Sequence, residues 1–141
     1  MATSKDIIQQ NLDRFGYDYV QNGQGFEVKL GFNLRMTIDL SQDSRVLLRD
    51  RLQGWNLLTG LVPTKDLSRA VRHTWILNGI VFLFAIFLLS ATIEGPRTTL
   101  LHVILVQLIV MVNVVWTLSA TIFYLVKAEG FRQTVMAWMK D

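Results

Sequence analysis

The sequence predicts a membrane protein of the α+β class, in which a two-helix transmembrane hairpin follows a small N-terminal domain. Three observations carry this prediction: two long uncharged stretches, a run of alternating apolar residues before them, and an apolar helical stripe after them. The uncharged stretches indicate the hairpin. The alternating run indicates an antiparallel β-sheet that follows a short N-terminal helix, and the helical stripe indicates a C-terminal amphipathic helix.

The two uncharged stretches are the predicted spans, at about 75–93 and 98–126. The first, of about 19 residues, would form a helix of roughly 28 Å, close to the hydrocarbon thickness of a bilayer. The second is longer than one crossing needs, so it must tilt or extend into the headgroups. Gly95 and Pro96 end the first helix, and so short a link makes the two helices antiparallel neighbours. A chain of 141 residues could hardly bury both helices in a soluble core.

Basic residues near the ends of the spans predict the orientation. Arg69 and Arg72 precede the first span, and Lys127 and Arg132 follow the second, whereas the turn between the spans has only Arg97. Because basic residues accumulate on the cytoplasmic side, both termini are expected in the cytoplasm. The same four flanking residues form the predicted basic membrane surface. The expected location is an integral position in a bacterial inner membrane.

Polar residues within the spans are the usual place to look for function. The second span contains His102, Gln107 and Asn113. With a turn centred between residues 95 and 96, Asn78 lies level with Asn113. We therefore predict that these two amides bond across the helix pair.

Two groups of polar residues follow from this geometry. The first is an interhelical polar contact of Asn78, Asn113 and Thr117. The second is a candidate polar stripe of His102, Asn113 and Tyr124, which fall within about 40° of one another on a helical wheel. Polar contacts that hold helices together are the principal interpretation, and a transport or binding site is the alternative.

The N-terminal domain begins with a predicted helix from Ser4, its expected cap, to Phe15. Its apolar stripe should pack on the sheet and consists of Ile7, Ile8, Leu12 and Phe15. A first strand is expected over 17–20.

The clearest strand signal runs from Phe26 to Leu40, where apolar residues occupy every even position. This period of two predicts β-structure with one dry and one wet face. A three-residue hairpin loop would pair Leu30 with Leu34 and keep the two faces in register. The alternative is one strand kinked at Gly31. Another strand is expected over 45–52.

The segment Gly54–Pro63 is apolar, bounded by glycines and unusual for a linker. We expect it at the membrane interface or closing the sheet onto the membrane, and its Trp55, Leu57 and Leu58 form a candidate docking or interface segment. Thr64 is the expected cap of a helix that runs into the first span.

The tail after Val126 has an apolar face of Phe131, Val135, Trp138 and Met139. Such a helix either lies in the cytoplasmic interface or packs on the sheet domain. The predicted organisation is thus a cytoplasmic α+β domain over 1–62, a hairpin over 63–127 and an interfacial helix over 128–141.

The sequence contains no pattern typical of catalysis. It has no cysteine, and its carboxylates are scattered without the spacing of a metal or acid–base site. His73 and His102 fall at opposite ends of the hairpin and could not share a haem within one chain. No enzyme activity and no cofactor are therefore expected. Nucleic-acid binding is not expected either, since the basic residues of the wet face alternate with Glu27, Asp39 and Asp50.

The expected function is that of a non-enzymatic membrane accessory or scaffold protein that presents a small cytoplasmic domain. Its expected partners are membrane lipids and either other membrane-protein subunits or further copies of itself. One alternative is a lipid or small-ligand binder with a pocket inside the sheet domain. Another is an oligomeric channel or carrier lined by His102, Asn113 and Thr117.

Overall fold

A computed structural model describes residues 3–42, 45–91 and 96–140. It contains an antiparallel sheet and three helices, two of which are long and apolar enough to cross a membrane. The predicted turn residues Glu94 and Gly95 lie outside the described residues. The elements in chain order are α1 (Ser4–Arg14), β1 (Asp18–Asn22), β2 (Gly25–Gly31), β3 (Leu34–Gln42), β4 (Arg45–Asn56), β5 (Gly60–Asp66), α2 (Leu67–Ala91) and α3 (Pro96–Trp138).

Helix α1 is capped one residue earlier than predicted. The Thr3 hydroxyl accepts the backbone N–H of Asp6 at 3.3 Å, and the Asp6 carboxylate accepts the backbone N–H of Thr3 at 2.9 Å. This reciprocal pair is a capping box, which requires an acceptor three residues after the cap. Asp6 meets that spacing from Thr3 and not from Ser4.

The five strands form a meander in which each strand pairs with the next along the chain. Its inner face carries the predicted apolar residues of β2 and β3. These residues, all 7% exposed or less, are Phe26, Val28, Leu30, Leu34, Met36 and Ile38. The alternating pattern therefore produces one buried and one solvent-facing side, as expected.

The β2–β3 hairpin differs from both predicted forms. Its loop has two residues, Phe32 and Asn33, both with positive φ (49° and 61°), and Gly31 pairs with Leu34. A two-residue loop alone would turn the apolar residues of one strand outward. An irregularity between Lys29 and Gly31 inserts one extra residue into β2 and returns Val28 and Met36 to the same face.

The segment Gly54–Pro63 is not a linker, because it completes the sheet. Strand β4 continues past the predicted end at Leu52 to Asn56, and β5 returns antiparallel to it. The expected helix cap Thr64 therefore lies within β5, and α2 begins at Leu67.

The C-terminal amphipathic helix is not a separate element. Helix α3 runs without interruption for 43 residues and includes both the second predicted span and most of the tail. The tail therefore follows the second of its two predicted placements, since Phe131, Val135 and Trp138 are buried against the sheet domain. Met139 is partly buried beside them.

The domain core lies between the inner face of the sheet, α1 and the C-terminal part of α3. Ile8 and Leu12 of α1 are completely buried in it. Phe15, which is exposed on its outer side, stacks on Trp138 with ring centroids 5.7 Å apart. The first and last helices of the chain thus pack together at the end of the molecule remote from the turn between α2 and α3.

Replacing Leu12 with alanine should lower the free energy of unfolding by about 2–5 kcal/mol, because it leaves a cavity under α1. Leu47→Ala, at a position 36% exposed, is the control and should change it by less than about 0.5 kcal/mol. Chemical unfolding in mild detergent measures both. Equal losses would show that α1 does not contribute to the core.

Candidate functional site

Several side-chain hydrogen bonds join the apolar helix pair to the sheet domain, and this junction is organised by α3. One face of α3 is buried at successive positions three or four residues apart. We call this face the buried stripe, and it consists of Thr117, Ala120, Tyr124, Ala128, Phe131, Val135 and Trp138. Such spacing keeps one side of a helix against its neighbours for six turns. The buried stripe therefore makes α3 a structural element of both the helix pair and the sheet domain.

Tyr124 joins two loops of the sheet to the helix pair. Its side chain is fully buried, and its hydroxyl accepts the backbone N–H of Leu57 at 3.0 Å. The same hydroxyl donates to the carbonyl of Phe32 at 2.9 Å. One phenol thus satisfies a backbone donor from the β4–β5 loop and a backbone acceptor from the β2–β3 loop. Because both groups belong to turns, no strand ladder could satisfy them.

The β2–β3 loop is held in place by aromatic contacts as well. Phe32 meets Phe123 edge to face at 5.3 Å, and the Lys127 ammonium lies 5.9 Å from the Phe32 ring centroid and 5.3 Å from that of Phe123. A bulky residue rarely adopts positive φ. The contacts of its ring and carbonyl with α3 stabilise Phe32 in that conformation.

The β4–β5 loop is organised by a buried asparagine. The side-chain oxygen Oδ1 of Asn56 accepts the backbone N–H groups of Leu58 at 3.0 Å and Thr59 at 2.8 Å, an arrangement that replaces backbone pairing in a tight turn. The loop then contacts both long helices. The Trp116 indole donates to the Leu57 carbonyl at 2.9 Å, and the Thr74 hydroxyl lies 3.4 Å from the Leu58 carbonyl.

The predicted docking segment therefore divides into two parts. Leu57 and Leu58 are engaged with the helix pair, and Leu58 is 6% exposed. Trp55 is 56% exposed, while its carbonyl accepts a hydrogen bond from the Asn33 side chain. Of the three residues, Trp55 alone has a large side chain available to a partner.

The interhelical contact links Asn78 to Thr117. The Asn78 amide donates to the Thr117 hydroxyl at 2.7 Å. The predicted bond to Asn113, one turn away, is absent from the described residues. Asn113 is exposed and lines a groove between α2 and α3 beside Asn78 and Gly79. Asn78 and Asn113 therefore line the same groove, but the Asn78 amide bonds to the threonine one turn farther along α3.

The structure does not bring the predicted polar stripe together as a site. Tyr124 is buried at the junction, whereas Asn113 and His102 are exposed farther along α3. His102 and Asn113 are separated by eleven positions, or about 16 Å of helix. Their common angle on the helix does not give them a common environment.

The four predicted basic residues have different surroundings. Arg69 pairs with Asp66 at 3.7 Å, and Arg132 with Glu129 at 3.1 Å. Lys127 contacts the aromatic rings of the β2–β3 loop, and Arg72 is exposed. The exposed salt bridges contribute at most about 1 kcal/mol each, so these residues matter more for the charge of the surface than for stability.

The outer face of the sheet forms a shallow polar depression. Its lining residues are Asn22, Glu27, Arg35, Thr37, Asp39, Arg49, Arg51 and Gln53. Arg35 binds Glu27 at 2.8 Å. The hydrogen bond from the Ser41 backbone N–H lowers the pKa of Asp39, so this carboxylate stays charged at neutral pH. Acidic and basic side chains therefore lie side by side in this depression.

Among the described residues, no group of three or more histidine or acidic side chains could hold a metal ion. No protein-family model matches the chain, and no curated protein or solved structure matches it either. The function must therefore be inferred from the contacts of this molecule itself.

The sequence does not indicate the contacts that several junction residues make. Phe32 and Asn56 sit in turns, and a turn signal was present in the Asn56–Gly60 segment, where Asn and Gly flank an apolar pair. Thr74 and Trp116 contact residues distant along the chain. No local pattern indicates such pairings.

Tyr124→Phe should lower the free energy of unfolding by about 1–3 kcal/mol, because two buried backbone groups lose their partner. Tyr17→Phe is the matched control. Its ring packs on Phe131, but its hydroxyl has no bonding partner among the residues described. Hydrogen exchange at Leu57 should accelerate only in the Tyr124 variant. Unchanged exchange there would contradict the assigned role.

A double-mutant cycle separates the two partners suggested for Asn78. Asn78→Ala combined with Thr117→Val should give a coupling energy of about 0.6–2 kcal/mol in detergent or bicelles. The same cycle with Asn113→Ala should give a value near zero. A larger coupling to Asn113 than to Thr117 would contradict the observed pairing.

Proposed function

We propose that this chain is a non-enzymatic integral-membrane accessory or scaffold protein, which uses its helix pair to fix a small α+β domain at the cytoplasmic membrane surface. The single observation that carries the proposal is the double use of α3. Its N-terminal half exposes most of its apolar side chains, and one face of its C-terminal half is buried in the core of the sheet domain.

Exposure of the helix pair supports membrane insertion over a soluble fold. Only 11% of the most apolar window of each helix is buried within the chain. A core helix of a soluble protein would be mostly buried, and apolar surface on this scale is costly in water. A bilayer satisfies these side chains, and both helices satisfy their own backbone groups, as a bilayer requires.

Two tryptophans support a membrane boundary at the junction. Trp75 of α2 and Trp116 of α3 both lie partly exposed at the level where the β4–β5 loop meets the helices. From Pro96 to Trp116 is about 21 residues, or roughly 31 Å of helix, which matches the hydrocarbon thickness. The remainder of α3, which is too long for the bilayer, belongs to the cytoplasmic domain in this proposal.

The packing of α1 on the end of α3 supports a common compartment for the two termini. The basic residues Arg69, Arg72, Lys127 and Arg132 lie on this same side of Trp75 and Trp116. Their position agrees with a cytoplasmic assignment.

A scaffold role is favoured over the other candidate functions by the way the interior is filled. A ligand pocket would require space at the inner face of the sheet, where Phe26, Met36 and Ile38 are completely buried in the packed core. A channel lined by Thr117 would require that hydroxyl to face water, and it is bonded to Asn78. What the domain offers is its outer surface, including the exposed Trp55.

The topology is testable by cysteine labelling, because the native chain contains no cysteine. Ser4→Cys and Lys140→Cys should react with an impermeant maleimide only after the inner membrane is opened. Glu94→Cys, in the predicted turn, should react in intact spheroplasts. Leu105→Cys, within the proposed span, is the unreactive control. Termini labelled on opposite sides, or release of the protein by alkaline carbonate, would overturn the membrane proposal.

The accessory role is testable by purification in mild detergent. We expect unlike membrane subunits in a fixed ratio to this chain, and we expect Trp55→Ala to reduce their recovery several-fold, since exposed aromatic residues often dominate interfaces. Val20→Ala is the control, because Val20 is 54% exposed and Trp55 is 56% exposed. Purification of this chain with lipid alone, at every detergent concentration, would contradict an accessory role.

A further inference from the structure

Gln107 is a polar side chain in the middle of the apolar part of α3. It lies nine residues from Trp116, about 14 Å along the helix, and eleven residues from Pro96, about 16 Å. Its side chain is exposed and makes no hydrogen bond to any residue that the structure describes. If Trp116 marks the membrane boundary, this amide lies near the bilayer centre, where water cannot satisfy it.

Most side chains of α3 from Leu100 to Leu118 are exposed, and one line of them through Gln107 has heptad spacing. Positions separated alternately by four and three residues form one line along α3, which we call the exposed stripe: Leu100, Ile104, Gln107, Met111, Val114 and Leu118. This spacing suits side-by-side packing of two helices. A single amide within such an apolar line is a feature that sets the alignment of paired helices.

The exposed stripe is free to meet another helix. It lies about 120° around α3 from the buried stripe, at 3.6 residues per turn. Neither α2 nor the sheet domain, both of which pack on the buried stripe, covers most of it, although Val114 at its edge also lines the groove between α2 and α3. A partner could therefore dock without displacing any contact described above.

A second copy of the chain is the occupant that best fits Gln107. A carboxamide both donates and accepts hydrogen bonds, so it can pair with an identical group. A two-fold axis along the membrane normal places each residue at the same depth as its counterpart. Gln107 of one copy then meets Gln107 of the other at the membrane centre.

We infer that the protein forms a parallel dimer through the exposed stripe of α3, with the two Gln107 side chains bonded to each other inside the bilayer. This inference rests on the proposed membrane insertion. Beyond that proposal, it names the partner within the membrane, a second copy of the chain, and the surface of the helix pair that the partner contacts. The two sheet domains would then stand side by side on one membrane face.

Single-cysteine cross-linking in phospholipid vesicles tests whether the exposed stripe is the dimer interface. Oxidation should link Ile104→Cys and Met111→Cys variants into dimers. Leu105→Cys and Ile109→Cys lie at similar depth on the opposite side of α3, are similarly exposed and should give only background yields. Equal yields at all four positions, or background yields at all four, would overturn the dimer.

Fluorescence energy transfer between labelled copies tests whether the Gln107 amide stabilises the dimer. Gln107→Leu should raise the dissociation constant of the dimer about 5- to 30-fold, and Gln107→Asn, which keeps the carboxamide, should restore most of the affinity. An unchanged constant in Gln107→Leu would overturn the pairing. Carbonate extraction of the same vesicles separates the two proposals. A washed-off chain contradicts membrane insertion itself, whereas an embedded chain without cross-links contradicts the dimer alone.

Discussion

The buried stripe of α3 is the constraint on which the rest of the structure depends. Tyr124 and Thr117 connect this stripe to the loops of the sheet and to α2, while Phe131 and Val135 bury it in the domain core. The sheet alone would expose its apolar face, and α1 is too short to cover it. The last turns of α3 complete that core, so the domain folds around the end of a helix whose beginning packs on α2.

Polar contacts at the junction serve a different purpose from the apolar ones. Burial of Phe131 and Val135 stabilises the packing of α3 on the sheet domain, because it removes apolar surface from water. The hydroxyl of Tyr124 and the amide of Asn56 instead satisfy backbone groups that the turns leave unpaired. Apolar burial thus holds the helix pair and the sheet domain together, and the polar bonds determine how the two are oriented.

The sequence predicted well those features that depend on local periodicity. Alternation from Phe26 onward identified the inner face of the sheet, and uncharged length identified both long helices. The alternation also predicted correctly that Leu30 and Leu34 share the inner face across the hairpin. The structure places them there with an extra residue in β2 and not with a three-residue loop. Strand β5 was missed because its segment contains both proline and glycine and lacks a regular alternation.

The site was harder to predict because its contacts join distant parts of the chain. Tyr124 is 67 residues from Leu57 and 92 from Phe32, and no local pattern records such pairings. The charged residues after Val126 were interpreted as the start of a new helix. These charged residues mark a change in the surroundings of α3. The helix itself continues past them, because no glycine or proline occurs between Val126 and Gly130.

The continuity of α3 also has a mechanical consequence. A helix of 43 residues is a rod about 64 Å long, and bending it sharply would break its own backbone hydrogen bonds. Tilting the N-terminal half of α3 therefore displaces the attached sheet, and rotation about the helix axis turns the outer face of the sheet by the same angle. If that half lies in a bilayer, as proposed, its movements reach the sheet domain through an unbroken helix.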